Sequence, residues 1–186
     1  MGMPDTARRY TVDEVLAFPN DGNRYELAHG ELLVTPAPRL EHQRIVSRLL
    51  AALLPYLAKH PGIAEAFTAP ADISWARDVL VQPDVFVVPA AETAGGWQGV
   101  STLLLAVEVL SPSTARSDRV VKRRLYQEFD VRTYWIVDLD ARVVELWQPD
   151  DERPQVVTDV LRWRVAPEAP ELAIELEEVF GPAFAG

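Results

Sequence analysis

Leu103-Leu104-Leu105-Ala106-Val107-Glu108-Val109-Leu110 sets one carboxylate inside an otherwise apolar run. An aliphatic run of this length reads as a strand covered on both faces, so the chain is expected to fold in layers around it. Taking a carboxylate out of water is costly unless a cation or a hydrogen-bond donor compensates, and Glu108 therefore needs a positive partner. The same conflict arises twenty-four positions earlier, where Asp84 follows Pro83 within the β-rich stretch Val81-Gln82-Pro83-Asp84-Val85-Phe86-Val87-Val88. Side chains alternate along a strand, which groups Glu108 with Leu104, Ala106 and Leu110, and Asp84 with Phe86 and Val88. Two such strands side by side would hold two carboxylates at a fixed separation suited to a divalent metal.

The rest of the chain supplies the layers. Thr11-Val12-Asp13-Glu14 has the form of a capping box and opens a short helix ending before Pro19. Residues 24–28 and 31–34 read as a hairpin turning at His29-Gly30, where the glycine can take a positive φ. Ile45, Val46, Leu49, Leu50, Leu53 and Leu54 recur at helical spacing, predicting an amphipathic helix from Glu41 that ends near Pro61-Gly62. Strands follow at about 63–68, 72–75, 80–88 and 103–110, with 90–99 a loop rich in small residues. A second helix is expected over 115–129, its stripe formed by Val121, Leu125 and Phe129. Residues 133–138 and 142–147 are further strands joined by a tight turn at 139–141. An edge strand near 156–161 and a closing helix within 172–180 complete the reading. This order predicts an α/β or α+β domain with a mixed central sheet flanked by helices.

Composition narrows the function. The 186 residues, 48% of them hydrophobic, fit one domain over 1–186. There is no cysteine, which removes disulfides, thiolate metal sites and cysteine nucleophiles from consideration. No apolar stretch approaches the roughly 18 residues that span a bilayer, and the N-terminus lacks the pattern of a signal peptide. The expectation is a cytoplasmic protein with no membrane partner. A net charge of -10 argues against broad, nonspecific nucleic-acid binding. It leaves room for a local basic stripe, and Arg116, Arg119, Lys122, Arg123 and Arg124 crowd into nine positions opposed by Asp118 alone.

Within that stripe Lys122 has Asp118 at i-4 and Tyr126 at i+4 on one helical face, and could reach back over the two carboxylates. An acid after proline, an acid in an apolar strand and a following lysine suit metal-assisted phosphodiester hydrolysis. The acids would hold Mg²⁺, which takes oxygen ligands and keeps several waters, with Mn²⁺ as a substitute. Each piece also has a plain structural explanation: a Pro-Asp pair is ordinarily a turn, and a basic helix face is ordinarily solvated.

The set as a whole resembles the Uma-two family of restriction-endonuclease-like proteins. The resemblance rests on Tyr25-Glu26-Leu27 through Gly30-Glu31-Leu32, His42-Gln43, Gln82-Pro83-Asp84-Val85, 107–113, 122–126 and 134–138, in that order along about residues 10–150. It implies the PD-(D/E)XK nuclease fold, a divalent metal, and Asp84 and Glu108 as its ligands. One departure stands out: the lysine normally two positions after the second acid is Leu110 here, so Lys122 would act in its place. The backbone carbonyl of Val109 could complete the metal shell, and Glu31 would supply a further acid. His42, Gln43, Arg119 and Tyr126 are the candidate contacts to substrate. The expected activity is Mg²⁺-dependent hydrolysis of DNA by a homodimer, since two sites related by a two-fold axis suit the two strands of a duplex. A non-cleaving binding or scaffold protein on the same fold is the alternative, favoured by the acidic charge and by Leu110. A two-carboxylate glycosidase uses the same residue types but leaves Lys122 without a role.

Overall fold

The computed structural model describes residues 8–181 of the expected 1–186 span. Helix α1 (Val12–Leu16) starts at the capping box, with the Glu14 carboxylate accepting the Thr11 N–H at 2.8 Å and the Thr11 hydroxyl accepting the Glu14 N–H at 3.4 Å. Strands β1 (Arg24–Ala28) and β2 (Glu31–Thr35) form the expected hairpin, in register from Arg24↔Thr35 to Ala28↔Glu31. His29 and Gly30 turn the chain with φ of 49° and 80°, the left-handed pair that matches the twist of a two-residue hairpin. A Cβ on Gly30 would lie 3.2 Å from both the Arg9 side chain and the Tyr10 carbonyl oxygen. Gly30→Ala is therefore expected to cost about 1–2 kcal/mol, seen as a lower denaturant midpoint at unchanged m-value.

Helix α2 (Leu40–Ala58) buries Ile45, Val46, Leu49 and Leu53 as its periodicity predicts. It runs through Pro55, and its buried stripe drifts to Tyr56 and Leu57, leaving Leu54 47% exposed. Strands β3 (Ala64–Thr68) and β4 (Ile73–Ala76) lie close to their expected positions.

The predicted strand at 80–88 is two strands in two different sheets. Strand β5 (Val79–Val81) pairs with β1 and β4, whereas β6 (Val85–Pro89) pairs with β3 and β7 (Leu105–Val109). The break falls at Gln82-Pro83-Asp84 because no ladder can continue there. Pro83 has no N–H to donate, and the Gln82 N–H is taken by the Glu26 carboxylate at 2.8 Å. Residues 90–95 and 97–99, expected as loop, wind into short 3-10 turns.

The larger sheet takes the order β10-β9-β8-β7-β6-β3, with β8 (Tyr134–Asp138), β9 (Val143–Trp147) and β10 (Gln155–Val157) added in turn. Only β7 and β8 run parallel, and every residue of β7 is buried. Helix α2 covers one face, against Val85, Val87, Val107, Val109 and Trp135. On the other face Phe86, Val88, Ala106, Tyr134 and Ile136 meet Leu125 and Tyr126, together with the small sheet β2-β1-β5-β4.

Two further segments differ from expectation. The helix predicted over 115–129 starts at Ala115 but winds as a π-helix over Ser117–Lys122, where the Arg123 N–H reaches the Asp118 carbonyl, before continuing as α3 (Arg123–Glu128). Asp118 and Lys122 face inward together with Leu125 and Tyr126, at i, i+4, i+7 and i+8. At the C-terminal end, β11 (Val160–Trp163) pairs with β12 (Leu172–Glu175) before the short α4 (Leu176–Phe180). The alternation that buries Ile174 between exposed neighbours favours a strand where a helix was expected. Among the described residues no helix is long and apolar enough to cross a membrane.

Candidate active site

Antiparallel pairing sets Val85 opposite Val107, so the register carried one step further brings Asp84, at the foot of β6, opposite Glu108 in β7. The two acids are tied through the backbone as well: the Val109 N–H donates to Asp84 Oδ2 at 2.8 Å. Asp84 is 3% exposed and Glu108 1%, which makes the compensation demanded by the sequence visible atom by atom. Arg24 Nη1 donates to Asp84 Oδ1 at 2.7 Å, and His42 Nε2 lies 3.0 Å from Oδ2. On the other acid, Lys122 Nζ and the Tyr126 hydroxyl both donate to Glu108 Oε1 at 2.9 Å. Lys122 also lies 2.7 Å from Glu26 Oε2 and 3.4 Å from Asp118 Oδ1, so three carboxylates surround one ammonium.

These contacts pull the acids apart electrostatically. Burial pushes Asp84 up, but the His42 hydrogen bond, the Arg24 guanidinium and the Val109 N–H outweigh it and hold this carboxyl well below its usual range. Glu108 goes the other way: burial raises it, Lys122 only partly opposes this, and the neighbouring Asp84 charge adds to the rise. Asp118 is raised by burial too, against Lys122. Burial would lower Lys122, yet Glu108, Glu26 and Asp118 prevail and raise it, so it remains an ammonium across the physiological range.

The opposite shifts give stability two opposed pH windows in the metal-free protein. Asp84, lowered from 3.8, contributes stability above that value and loses it as pH falls. Glu108, raised from 4.5, contributes fully below 4.5 and loses it as pH climbs toward its elevated value. Melting in EDTA from pH 3 to 8 should therefore peak in the mildly acidic range, and Glu108→Gln should flatten the alkaline decline. An alkaline limb as steep in Glu108→Gln as in wild type would contradict this assignment.

A cleft of about 1210 Å³ opens onto the two acids and is lined by Arg24, His42, Gln43, Val109 and Arg119 among others. Of the expected contacts, His42 is buried and faces Asp84, while its Nδ1 has no hydrogen-bond partner. Gln43 is exposed at the cleft wall. Arg119 also borders the cleft, but Asp138 and Glu145 hold it at 2.6 and 2.7 Å. Tyr126 and Lys122 stand behind Glu108 and are buried. Leu110 fills the apolar layer as sequence implied, and Lys122 reaches the second acid from the following helix.

Glu31 is not part of this cluster. It is exposed beside the hairpin turn, opposite Ala28, and the hairpin acid that faces Lys122 is Glu26. The criterion that singles out Glu108, an acid between apolar neighbours, applies equally to Tyr25-Glu26-Leu27. Glu31 borders a turn, where a carboxylate stays in water. Arg24 was also missed, and it lies two positions before Glu26 in the same strand.

The basic stripe is largely consumed by the fold. Lys122 is buried, Arg119 is paired, and Arg123 bonds Gln127 at 2.7 Å while lying over the Trp147 ring. Of the five cations only Arg116 and Arg124 are exposed.

A family model described as "Putative restriction endonuclease", Uma2, matches residues 12–177, nearly the whole of the chain. The chain belongs to the Uma2 family. Its fold is also that of a crystal structure described as "a putative nuclease belonging to DUF820" from Anabaena variabilis ATCC 29413, with a TM-score of 0.74. The two chains share 21% identity over 92% of this chain and 97% of the other. No curated protein matches. The expected restriction-endonuclease-like fold, a mixed central sheet flanked by helices, is the fold this Uma2 chain adopts, with six strands in that sheet.

Whether the Uma2 chain's own residues suit a divalent cation can be judged from their charges. Four buried carboxylates, Asp84, Glu108, Glu26 and Asp118, face two permanent cations, Arg24 and Lys122. That excess of negative charge, expressed in the raised Glu108 and Asp118, fits a hard divalent ion. Among the described residues no three His, Asp or Glu side chains form a holding group by themselves. A shell here would need backbone oxygen in addition to side chains.

Proposed function

We propose that this chain is a Mg²⁺-dependent endonuclease that hydrolyses DNA phosphodiester bonds. One observation carries the reading: Asp84 and Glu108 face each other across β6 and β7 at the floor of a cleft, with more buried negative charge than the protein's own cations balance. Membership of a family described as "Putative restriction endonuclease" supports it. Asp84, Glu108 and the Val109 carbonyl would hold the ion, which when bound supplies charge neutralisation at the phosphate and a more acidic water.

The chain's own residues do the positioning. Lys122 and Tyr126 fix the Glu108 carboxylate from behind, and the ammonium, protonated throughout the working range, stabilises negative charge and cannot serve as a base. They act through Glu108, because neither lines the cleft. An ionised Asp84 makes His42 Nε2 the donor of their hydrogen bond, while His42 Nδ1 is buried without a hydrogen-bond partner. Arg119 and Gln43 lie on the wall where a backbone phosphate would pass. A pair of chains would present two such sites to a duplex.

Incubating supercoiled plasmid with the protein and Mg²⁺ or Mn²⁺ tests this; nicking abolished by EDTA is expected, and inertness with both ions counts against it. The non-cleaving reading has its own support, since Asp84 already accepts bonds from Arg24, His42 and Val109 and few of the stripe's cations remain exposed. Calorimetry separates the two, because only the nuclease reading requires the ion to bind.

A further inference from the structure

The two cations of the cluster are held very differently. Lys122 is sealed in, 2% exposed and surrounded by three carboxylates. Arg24 lines the cleft with its side chain 18% exposed, and donates through Nη1 to Asp84 Oδ1 at 2.7 Å and to the Gln82 carbonyl at 3.1 Å. Its Nε is buried with no hydrogen-bond partner. Glu26 Oε2 pairs with Lys122 Nζ at 2.7 Å and lies 3.8 Å from that Nε. An N–H···O bond has a length of about 2.9 Å, so a pivot of roughly 1 Å would bring the unpartnered Nε onto Glu26 Oε2.

We propose that Arg24 is a displaceable counter-cation, which neutralises Asp84 in the metal-free protein and pivots onto Glu26 when a divalent ion takes its place. The ion itself rests on the nuclease reading; the pivot rests on this geometry. Of the three donors to Asp84, Arg24 is the one free to leave. The Val109 N–H belongs to a buried strand, and His42 is buried in α2. Coulomb repulsion between a guanidinium and a divalent ion sharing one carboxylate drives the exchange. Glu26 keeps the arginine paired after it leaves. Ion affinity is then lowered by the cost of moving Arg24, because the binding-competent arrangement is not the resting one.

Mn²⁺ titration by calorimetry on the full chain tests this. Arg24→Gln should bind at least about tenfold more tightly than wild type, and Arg24→Lys, which keeps the charge, should stay within about threefold of it. Equal or weaker binding by a folded Arg24→Gln overturns the proposal. Should that variant fail to fold, the wild-type protein still decides: the Arg24 Nε–H proton resonance should move downfield as Mg²⁺ saturates the site, and a resonance that stays in place overturns the pivot. A Glu108→Gln control separates the two claims. Binding that ignores Glu108, or no binding at all, removes the metal reading and the pivot together. Glu108-dependent binding that Arg24→Gln leaves unchanged removes only the pivot.

Discussion

Glu108→Gln should reduce Mg²⁺-dependent plasmid nicking by about a hundredfold to a thousandfold, the range found when a charge-stabilising element is lost from a site. The substitution keeps the shape of the side chain and an oxygen that Lys122 and Tyr126 can still donate to, at the position now 2.9 Å from each. It removes only the charge an ion needs. That charge is expensive where it stands, because burial raises Glu108 well above the carboxylate range. The variant should therefore melt no lower than wild type at pH 8 in EDTA while losing activity. A variant that is stable and still cuts would refute the assignment of Glu108. Asp84→Asn should lose activity to a similar degree but also lose stability, since Arg24, His42 and the Val109 N–H would then face a neutral partner.

Lys122→Met carries the largest expected stability effect, a loss of about 3–5 kcal/mol at neutral pH, as for other buried ion pairs broken on one side. Methionine fills much of the space but leaves Glu108, Glu26 and Asp118 without the ammonium that lies 2.7–3.4 Å from them. At about 2–4 °C per kcal/mol for a chain of this size, the melting temperature should fall by roughly 10 °C. The abandoned carboxylates can escape by taking up protons, so the deficit should shrink at pH 5 and widen at pH 8. A deficit independent of pH would mean that Lys122 stabilises by packing alone. Adding Glu108→Gln should recover part of the loss, the coupling expected of groups in one network.

How much of this was legible beforehand follows from which signals are local. The capping box at Thr11 and Glu14, the His29-Gly30 turn and the stripe of α2 are patterns within a few residues of one another, and each appears where it was read. Glu108 and Asp84 were legible because an acid in an apolar strand announces an unmet need for a partner. The same rule applied to Tyr25-Glu26-Leu27 would have selected Glu26, whereas the family resemblance pointed to Glu31. The division of 80–88 into two strands was marked by Pro83, but which sheet each half joins depends on partners far along the chain. The basic stripe misled because sequence counts charges without their pairings, and Asp138 and Glu145, which hold Arg119, come from β8 and β9.

Sequence by itself determined that two carboxylates are withdrawn from water in a layered fold, since the apolar residues beside them in each strand must themselves be buried. The tertiary structure alone decided who answers those charges: Arg24 from the hairpin, His42 from α2, Lys122 from the π-turn. Strand register and helix packing bring together groups that lie from 14 to 60 positions apart, and Coulomb attraction and hydrogen bonding act over ångströms, whatever the separation along the chain.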